Sequence, residues 1–552
     1  MATDLTVADD NSATDLNTRR RIALAEIDNA PLGWYHLRAC IVAGVGFFTD
    51  QYDIFTVSML TTMLGIVYWP QKKGAMPTPS DTAIKVATSG GTVIGQVGFG
   101  ILADIVGRKR MYGVELIIII IATLGQALSA PGPGLSIVGV LIFWRVIMGI
   151  GIGGDYPLSS IITSEFASTK WRGFMMAGVF SMQGIGQLVG GIVMLVVTVG
   201  FKGSLQTAKS YATCTGVCSL AVDKMWRVLV GFGAVPACLA LYYRLTIPET
   251  PRYTFDIARD VEKARVDVQA YMTGKHEGVP PSEIKRLEVL AQSDSLDLPK
   301  GSFRDFVQYF SKWKNGKILL GTAGSWFCLD VAFYGLGLNS STVLGAIGWT
   351  GGSDVYHILY KVASGNIILV CAGALPGYWA TMFTVDIIGR RPIQMMGFVV
   401  LTLLFLVWGF DYKHLSSNSM LGIYILAQFF FNFGPNATTF LVPGECFPTR
   451  YRSTGHGISA ASGKIGSIIA QAALAPLRVT GAKPGATGAA ANPWQNNVMK
   501  IYAFFMLLGC FTTLLIPETK RKTLEEMSGE DEAVSIVQQD VHGNSSEGER
   551  KP

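Results

Sequence analysis

The stretch GIGIGGDYPLS, residues 149–159, lies inside an apolar segment that begins at Leu135 and continues to Glu165. That segment is long enough to cross a bilayer, yet it contains Arg145 and Asp155. A charged side chain at the centre of a membrane helix costs at least about 2.5–3.5 kcal/mol unless it faces a partner or a water-filled cavity. The stretch therefore predicts a membrane helix whose charged residues have a function.

The glycines of this stretch also match a nucleotide-binding pattern. Gly149, Gly151 and Gly154 satisfy the dinucleotide fingerprint G-x-G-x-x-G. The fingerprint requires a short strand before it and a soluble βαβ unit around it, whereas this segment is long and apolar throughout. We therefore expect these glycines to allow close packing between membrane helices.

The composition is that of a polytopic helical membrane protein. Of the 552 residues, 49% are hydrophobic, 15% are charged and 63 are glycines. Soluble domains average about 25% charged residues and about 7% glycine. The formal net charge of +6 comes from lysines and arginines between apolar runs. This pattern indicates the positive-inside bias of a protein embedded in a lipid bilayer, and not a surface for nucleic acid.

Apolar runs of about twenty residues predict twelve transmembrane helices. The predicted spans are residues 37–62, 84–106, 111–130, 135–165, 172–200, 225–247, 316–342, 357–385, 392–410, 418–447, 453–478 and 499–517. Residues 1–36 are polar and lack the apolar core of a signal peptide, so the first helix should act as its own insertion signal.

The spans form two groups of six around a polar stretch rich in Arg, Lys, Glu and Asp. An amphipathic helix is expected near residues 256–271, and the polar tail from Lys520 is expected to be disordered. The predicted organisation is a cytoplasmic tail (1–36), a six-helix bundle (37–247), a cytoplasmic linker (248–315), a second six-helix bundle (316–517) and a cytoplasmic tail (518–552).

Three motifs recur in the same order in both halves. They are DIVGRK at 104–109 and DIIGRR at 386–391, EFASTKWR at 165–172 and ECFPTRYR at 445–452, and PET at 248–250 and 517–519. The first two pairs stand 282 and 280 residues apart. This repeat predicts two parallel halves of six helices each, the arrangement expected of alternating-access carriers.

The repeated motifs resemble the signature motifs of the major facilitator superfamily, and the resemblance covers about residues 36–525. The D-x-x-G-R-[KR] loops follow helices 2 and 8, the PET motifs follow helices 6 and 12, and Arg145 begins an R-x-x-x-G-x-G motif in helix 4. The resemblance implies an all-α membrane protein of twelve transmembrane helices in two six-helix bundles, without a cofactor. Within the superfamily, GGDYPLS at 153–159 followed by Ser164-Glu165 is similar to the signature of the phosphate:proton symporters of fungi and plants.

Helix 7 contains the residues most suggestive of a substrate site. Trp326, Asp330 and Tyr334 are spaced four apart and therefore share one helix face. The resemblance implies that phosphate is bound by Tyr156, Gln183, Trp326, Asp330, Tyr334 and Asn436, with Lys464 contributing positive charge.

Structural roles remain open for several of these residues. The helix 7 face could be ordinary interhelical packing, although the intramembrane Asp330 argues against that. Gln183 and Asn436 could simply hydrogen-bond across helices. Lys464 could extend toward a helix end, but it lies some ten residues inside its span.

Asp330 is the expected coupling residue. Its carboxylate would repel a phosphate anion, so phosphate binding should favour the protonated acid, whose O–H can donate to a phosphate oxygen. Asp50 and Asp53 in helix 1, together with Asp155, could pass protons, although Asp53 is equally consistent with a structural role. Arg145 could hold Asp155 ionised and so make it a weaker proton carrier.

The repeated loop residues are expected to act in gating or structure rather than in substrate binding. Glu165 and Glu445 should pair with nearby loop arginines at the cytoplasmic side. The gating and structural set is Asp104, Arg108, Arg145, Glu165, Asp386, Arg390 and Glu445. Cys214 and Cys218 lie in a loop expected outside, where a disulfide is compatible with their spacing. No metal cluster, nucleotide motif or catalytic triad indicates an enzyme.

The leading functional hypothesis is import of inorganic phosphate across the plasma membrane by proton symport, with both termini cytoplasmic. A sugar:proton symporter is the first alternative, because sugar porters share the loop, Arg145 and PET motifs. Helix 7 argues against it, since sugar porters have a glutamine-rich pattern where this chain has Trp326, Asp330 and Tyr334. A phosphate-sensing receptor of the same fold is the second alternative, and a long specialised tail would favour it.

Overall fold

The computed structural model describes residue 28 and residues 33–72, 74–245, 249–257, 301–483 and 488–529. These residues are almost entirely helical, and within them the only β-type pairing is an isolated bridge between Gly132 and Leu135. The predicted amphipathic helix at 256–271 lies outside the described residues except for its first two positions. Most of the predicted N-terminal tail, and Pro248 of the first PET motif, also lie outside them.

Twelve long helical units account for most of the described chain. In the first half they are α1 (Trp34–Phe55, continued by Val57–Tyr68), α2 (Thr78–Val106), α3 (Val114–Ala127), α4 (Ile137–Phe166), α5 (Arg172–Gly200) and α6 (Val217–Gly231 with Ala234–Leu245). In the second half they are α7 (Trp313–Gly337), α8 (Val355–Leu369, the π-helical turn Val370–Ala374 and Leu375–Ile388), α9 (Arg390–Phe410), α10 (Ser417–Asn432 with Pro435–Cys446), α11 (Arg452–Ile469, the π-helical turn Ala470–Leu474 and Ala475–Leu477) and α12 (Gln495–Thr513).

Shorter helices and turns connect these units. They are Arg108–Met111, Lys202–Leu205, Pro251–Asp256, Phe303–Ser311, Ser340–Ala346 and Leu524–Ser528, with 3₁₀ turns at Pro70–Lys72, Tyr211–Thr213, Thr449–Tyr451 and Gly488–Ala491. Cys214, in the loop before α6, forms a disulfide with Cys218 in the first turn of α6.

Nine helices in the described part of the chain are long and apolar enough to cross a membrane by length and composition. The units outside that count are α1, α10 and α12. Helix α1 contains Asp50 and Asp53 in its interior. Helix α12 begins with three amide side chains. Helix α10 is interrupted near Pro435, because proline has no backbone N–H to continue the helical hydrogen bonds. The predicted tenth span, 418–447, therefore consists of two consecutive helices.

The two halves pack in the same way and meet through equivalent helices. In the first half α1 packs on α5 and α3 on α6, and in the second half the equivalent helices do the same, with α7 on α11 and α9 on α12. Across the halves, α2 contacts α11 and α5 contacts α8. In the repeat, α2 is equivalent to α8 and α5 is equivalent to α11. The contact between α2 and α11 is therefore the counterpart of the contact between α8 and α5. The fold therefore has the internal symmetry that the repeated motifs predict.

Glycines hold α2 and α4 together, as the sequence predicts. A Cβ atom on Gly149 would overlap the backbone oxygen of Thr88, and one on Gly153 would overlap the backbone oxygen of Thr92. In the facing helix, a Cβ on Gly91 would overlap the backbone oxygen of Val146. The two backbones are thus in direct contact, which only glycine permits. The G-x-G-x-x-G match is a helix-packing pattern.

This packing predicts opposite outcomes for two neighbouring glycines of α2. Gly91→Ala should destabilise the protein, because the methyl group meets backbone atoms that cannot rotate away, and overpacking typically costs about 1–3 kcal/mol. Gly90→Ala is the control, since nothing lies within 4 Å of a Cβ at that position. Thermal unfolding of the purified protein measures both. A Gly91→Ala protein as stable as the Gly90→Ala protein would contradict the close approach.

Residues 520–529 are more ordered than the sequence predicts. The expectation of disorder from Lys520 onward is wrong for residues up to 529, where Leu524–Ser528 is a helix whose Leu524 is fully buried. Arg252 fixes this helix to the first bundle, because its Nε donates to the Glu525 carboxylate at 2.8 Å and its Nη1 donates to the Glu165 backbone oxygen at 2.7 Å. Through these two hydrogen bonds, Arg252 joins the helix at 524–528 to the first bundle.

Candidate functional site

The centre of the molecule contains a hydrogen-bonded network of aromatic hydroxyl and amide groups. The Tyr156 hydroxyl accepts from Gln51 Nε2 at 3.0 Å and from Gln183 Nε2 at 3.3 Å, and it lies 3.5 Å from the Tyr334 hydroxyl. These residues come from α4, α1, α5 and α7, so the network joins the two bundles. All four side chains are buried.

The network continues into α8 and α10 through Tyr378. Its hydroxyl donates to Gln183 Oε1 at 3.0 Å and accepts from Asn436 Nδ2 at 3.0 Å. Asn436 Nδ2 also donates to Asn432 Oδ1 at 2.7 Å. Tyr378 and Gln51 were not predicted from the sequence as members of the site. Each is a polar side chain in a predicted span, and that signal could have identified them.

An ion pair lies beside this network. Lys464 Nζ of α11 donates to Asp330 Oδ2 of α7 at 2.8 Å, and both side chains are almost completely buried. The ammonium group also lies 4.3 Å from the Tyr334 ring centroid and 5.2 Å from that of Tyr156. The other Asp330 oxygen has no hydrogen-bond partner among the described residues. A pair buried this deeply is a weak source of stability, and its partly unsatisfied acid marks a functional group.

Aromatic side chains close the space next to the network. The rings of Phe180 and Phe440 are stacked with centroids 4.5 Å apart, and the Phe47 ring lies 5.1 Å from Phe440. The Phe47 ring also lies 5.1 Å from Tyr156 of the polar network, and the Trp326 ring lies 6.2 Å from Tyr156 and 5.5 Å from His456. We call Phe47, Phe180 and Phe440 the aromatic layer.

The seven residues expected to bind substrate therefore surround one region between the bundles. It contains hydroxyl and amide donors, one cation and one acid, which is a set of groups suited to a small multivalent anion. The residues are Tyr156, Gln183, Trp326, Asp330, Tyr334, Asn436 and Lys464.

Asp50 and Asp53 occupy different environments in α1. Asp50 is fully buried, and neither of its carboxyl oxygens has a hydrogen-bond partner among the described residues. Asp53 Oδ2, in contrast, accepts a hydrogen bond from Thr123 Oγ1 at 3.1 Å. A buried carboxyl group without a partner is the chemistry expected of a proton carrier, which favours Asp50 over Asp53 for that role.

The expected pairing of Asp155 with Arg145 is wrong. Asp155 Oδ2 pairs with Arg244 Nη2 of α6 at 2.8 Å, and its Oδ1 accepts from Ser159 Oγ at 2.5 Å. Arg244 also pairs through Nη1 with Glu115 of α3 at 2.7 Å. One buried arginine thus compensates two buried acids. The pairing joins three helices, α3, α4 and α6, through residues that are distant in sequence, so local spacing gives no sign of it.

Arg145 lies apart from these acids, between α4 and α2. Its Nε donates to the Ile84 backbone oxygen at 3.1 Å and its Nη1 donates to Gln126 Oε1 at 3.3 Å. Among the residues that the structure describes, no carboxylate lies within 4 Å of its guanidinium. The hydrogen bonds of its guanidinium therefore go to neutral oxygen atoms.

The repeated loops bind across the bundles in a reciprocal manner. Asp104 accepts from the backbone N–H of Thr454 at 2.8 Å and of Ser453 at 3.3 Å, at the first turn of α11. Asp386 accepts from the backbone N–H of Phe174 at 2.7 Å, at the first turn of α5. Each aspartate thus satisfies the free N–H groups of a helix in the opposite half and interacts favourably with its dipole.

Buried ion pairs reinforce the same face of the molecule. Glu165 pairs with Arg452 at 2.9 Å, across the bundles, and lies 3.6 Å from Arg108. In the second half, Glu445 pairs with Arg390 at 2.8 Å. Both glutamates therefore pair with loop arginines, as expected. We call the face that bears these loops the motif face.

The PET motifs cap the helix that follows each repeated loop. Glu249 accepts from the backbone N–H of Lys109 at 3.1 Å, and Glu518 accepts from the backbone N–H of Arg390 at 3.0 Å. The preceding glycines, Gly107 and Gly389, have φ values of 112° and 110°. A side chain rarely adopts that conformation, so glycine is required at the turn.

Contacts also close the face opposite the motif face. Ser58 Oγ donates to Ser341 Oγ at 3.0 Å, and Lys85 Nζ donates to Asn339 Oδ1 at 2.9 Å. Both contacts join the first bundle to the second. Contacts between the bundles therefore lie on both sides of the polar network.

Comparison with known proteins identifies the relatives of this chain. A family described as "Sugar (and other) transporter" matches residues 39–530. The repressible high-affinity phosphate permease of Neurospora crassa is 64% identical over 518 residues, covering 94% of this chain and 90% of the relative. An inorganic phosphate transporter of Saccharomyces cerevisiae is 55% identical over 515 residues, covering 92% and 87%. Inorganic phosphate transporter 1-2 of Oryza sativa subsp. japonica is 39% identical over 518 residues, covering 92% and 96%.

Solved structures match the fold. A major facilitator proton:xylose symporter bound to 6-bromo-6-deoxy-D-glucose has a TM-score of 0.67 at 18% identity, covering 89% of this chain and 98% of that structure. A partially occluded inward-open xylose transporter from E. coli has a TM-score of 0.61 at 18% identity, covering 89% and 100%. This similarity carries the twelve-helix fold alone. Together with the sequence relatives, it shows that the chain belongs to the sugar (and other) transporter family of the major facilitator superfamily, among the fungal and plant inorganic phosphate transporters.

Proposed function

We propose that this protein imports inorganic phosphate by symport with protons, using alternating access of its two bundles. The observation that carries the proposal is the buried Asp330–Lys464 pair beside the Tyr156 network, between the bundles. Phosphate permeases and transporters at 64% and 55% identity support phosphate as the substrate.

The residues around this pair can satisfy a phosphate ion. Lys464 supplies positive charge, and Tyr156, Tyr334 and the amide groups of Gln183 and Asn436 supply neutral donors. Because phosphate has several oxygen acceptors, it requires donors from more than one direction. The six helices that contribute the network provide them from both bundles, so binding also holds the bundles together around the ion.

Proton coupling follows from the carboxyl group beside the binding region. An ionised Asp330 would repel a phosphate anion, whereas the protonated acid can donate a hydrogen bond to it. The proton and phosphate therefore each raise the affinity of the other, which is the linkage that symport requires. Asp50, with its unpartnered oxygens, is the group best suited to exchange this proton. Asp155 is the weaker candidate because Arg244 holds its charge.

Release requires the motif face and the aromatic layer to open. Asp104 and Asp386 each bind a helix of the opposite half, so separating the bundles breaks both contacts together. The basic residues Lys109, Arg110 and Arg391 lie on this face, which supports a cytoplasmic position for it and for both termini. The opposite face would then open to the outside of the plasma membrane.

A sugar:proton symporter is the runner-up. The matching family is described by its sugar transporters, and the two solved structures compared above are xylose transporters. A neutral sugar, however, would gain little from the buried Lys464 ammonium, whose positive charge suits an anion. A phosphate-sensing receptor is the third hypothesis. Such a receptor would bind phosphate without transporting it across the membrane.

Uptake of labelled phosphate into proteoliposomes separates these functions. We expect uptake that excess unlabelled phosphate suppresses and excess glucose leaves unchanged, with protein-free liposomes as the background. Arsenate has the same shape and charge as phosphate, and it should therefore compete. Suppression by glucose would favour the sugar symporter. Saturable phosphate binding without uptake would favour the receptor.

A further inference from the structure

The short helix Phe303–Ser311 lies on the motif face, immediately before the membrane-spanning helix α7. Only Lys312 separates it from α7, which begins at Trp313. The Phe306 ring lies 5.3 Å from the ring of Tyr451, in the turn that precedes α11. We call Phe303–Ser311 the linker helix. Because it is joined so closely to a membrane span, it lies near the level at which α7 leaves the bilayer.

One side of the linker helix is fixed to the second bundle. Asp305 Oδ2 accepts a hydrogen bond from Arg450 Nε at 2.9 Å and another from the Tyr451 hydroxyl at 2.7 Å. The Phe310 ring lies 5.7 Å from the ring of Phe447. These contacts fix the rotation of the helix about its own axis, so the side chains on its other side cannot turn toward the protein.

That other side exposes an apolar edge. Phe303 is 83% exposed and Val307 is 47% exposed, and residues four apart are neighbours on a helix surface. Trp313, at the start of α7, is 67% exposed. Tryptophan is enriched where membrane helices cross the bilayer–water interface. An apolar edge at that level borders the lipid headgroups, so lipid can cover it.

Two exposed cations border this apolar edge. Arg304 follows Phe303, and Lys312 follows the last residue of the helix. Within the described part of the chain, neither cation forms an ion pair, since the only acid of the helix, Asp305, pairs with Arg450. Apolar side chains on one edge of a helix, with cations beside them, are typical of helices that lie in the surface of an anionic membrane.

We propose that the linker helix binds the bilayer surface at anionic phospholipids. Phe303 and Val307 insert among the headgroups, and Arg304 and Lys312 bind the lipid phosphate groups. The cytoplasmic position proposed for the motif face makes these the lipids of the cytoplasmic leaflet, where anionic lipids are concentrated. Only this choice of leaflet rests on the proposed function, so lipid binding and phosphate transport can fail independently.

Amide hydrogen exchange of the full-length protein in nanodiscs measures this contact at the linker helix itself. The two arms are phosphatidylcholine alone and phosphatidylcholine mixed with phosphatidylserine. We expect the amides of the linker helix to exchange at least about fivefold more slowly with phosphatidylserine, because each cation at an anionic surface raises the affinity about fivefold. An absent difference in the wild-type protein would overturn the proposal.

Two double variants test the cations. Arg304→Gln combined with Lys312→Gln should remove the effect of phosphatidylserine. Lys72→Gln combined with Lys413→Gln is the control, because both lysines are exposed on the face opposite the motif face, and it should exchange like the wild type. An effect that survives in the first variant, or that is lost equally in the second, would overturn the role of the linker helix cations.

Two further measurements on the wild-type protein require no substitution. Concentrated salt screens exposed charges over a few ångströms, so it should abolish the difference between the two lipid mixtures. A difference that salt leaves unchanged would overturn the role of charge. Inorganic phosphate added to the phosphatidylcholine nanodiscs should not slow exchange in the linker helix. Slowing equal to that with phosphatidylserine would indicate a site for a soluble anion and overturn the lipid surface.

Discussion

Asp330→Asn is expected to abolish the accumulation of phosphate against its gradient. Asparagine can still accept a hydrogen bond from Lys464, so the variant should fold, but it cannot bind and release a proton. The linkage between proton and phosphate is then lost, and we expect proton-driven accumulation to fall at least about a hundredfold, the scale of a strong coupling free energy. Exchange of labelled for unlabelled phosphate, which requires no net proton movement, measures whether binding survives.

The control for this variant is Asp411→Asn. Asp411 is 53% exposed in the loop after α9, so its replacement should leave accumulation unchanged. Phosphate exchange without accumulation in Asp330→Asn would identify Asp330 as the coupling acid. Near-normal accumulation that still depends on pH would remove Asp330 from the mechanism and direct attention to Asp50.

Arg244→Gln is expected to be the most destabilising single change in the first bundle. Arg244 pairs with Asp155 and Glu115, and all three side chains are fully buried. Removing the shared cation leaves two acids without compensation, and breaking a buried ion pair costs about 3–5 kcal/mol. We expect a large fall in the thermal unfolding temperature of the purified protein and in its yield.

Lys522→Gln provides the comparison for Arg244. Lys522 pairs with Glu526 at 3.8 Å, and both side chains are about half exposed. A pair of this kind contributes between about 0 and 1 kcal/mol, so the variant should unfold like the wild type. If Arg244→Gln were as stable as Lys522→Gln, the Asp155–Arg244–Glu115 cluster would not hold α3, α4 and α6 together.

The fold could be predicted because its signals are local and strong. Apolar runs give the number of helices, and the repeated loops give the two halves, which the comparisons with known major facilitator proteins confirm. The glycines at 149 and 153 also predicted close helix packing correctly. The break in α10 was missed, because an apolar run gives no measure of whether the helix within it is continuous. Proline is tolerated in some membrane helices and interrupts others.

The site could be predicted only in part. Trp326, Asp330 and Tyr334 follow a spacing on one helix and could be grouped from sequence. The partner of Asp155 could not, because Arg244 and Asp155 are 89 residues apart and meet only in the folded first bundle. A nearer arginine, Arg145, was therefore assigned in its place.

Phosphate uptake into proteoliposomes that differ only in their internal pH tests proton-coupled phosphate import directly. The external pH is held constant and mildly acidic, so the ionic form of external phosphate is the same in both arms. If import is coupled to protons, phosphate should accumulate inside the proteoliposomes when their interior is alkaline. That accumulation should be lost when a protonophore removes the proton gradient. Equal uptake with and without the gradient would contradict proton-coupled phosphate import.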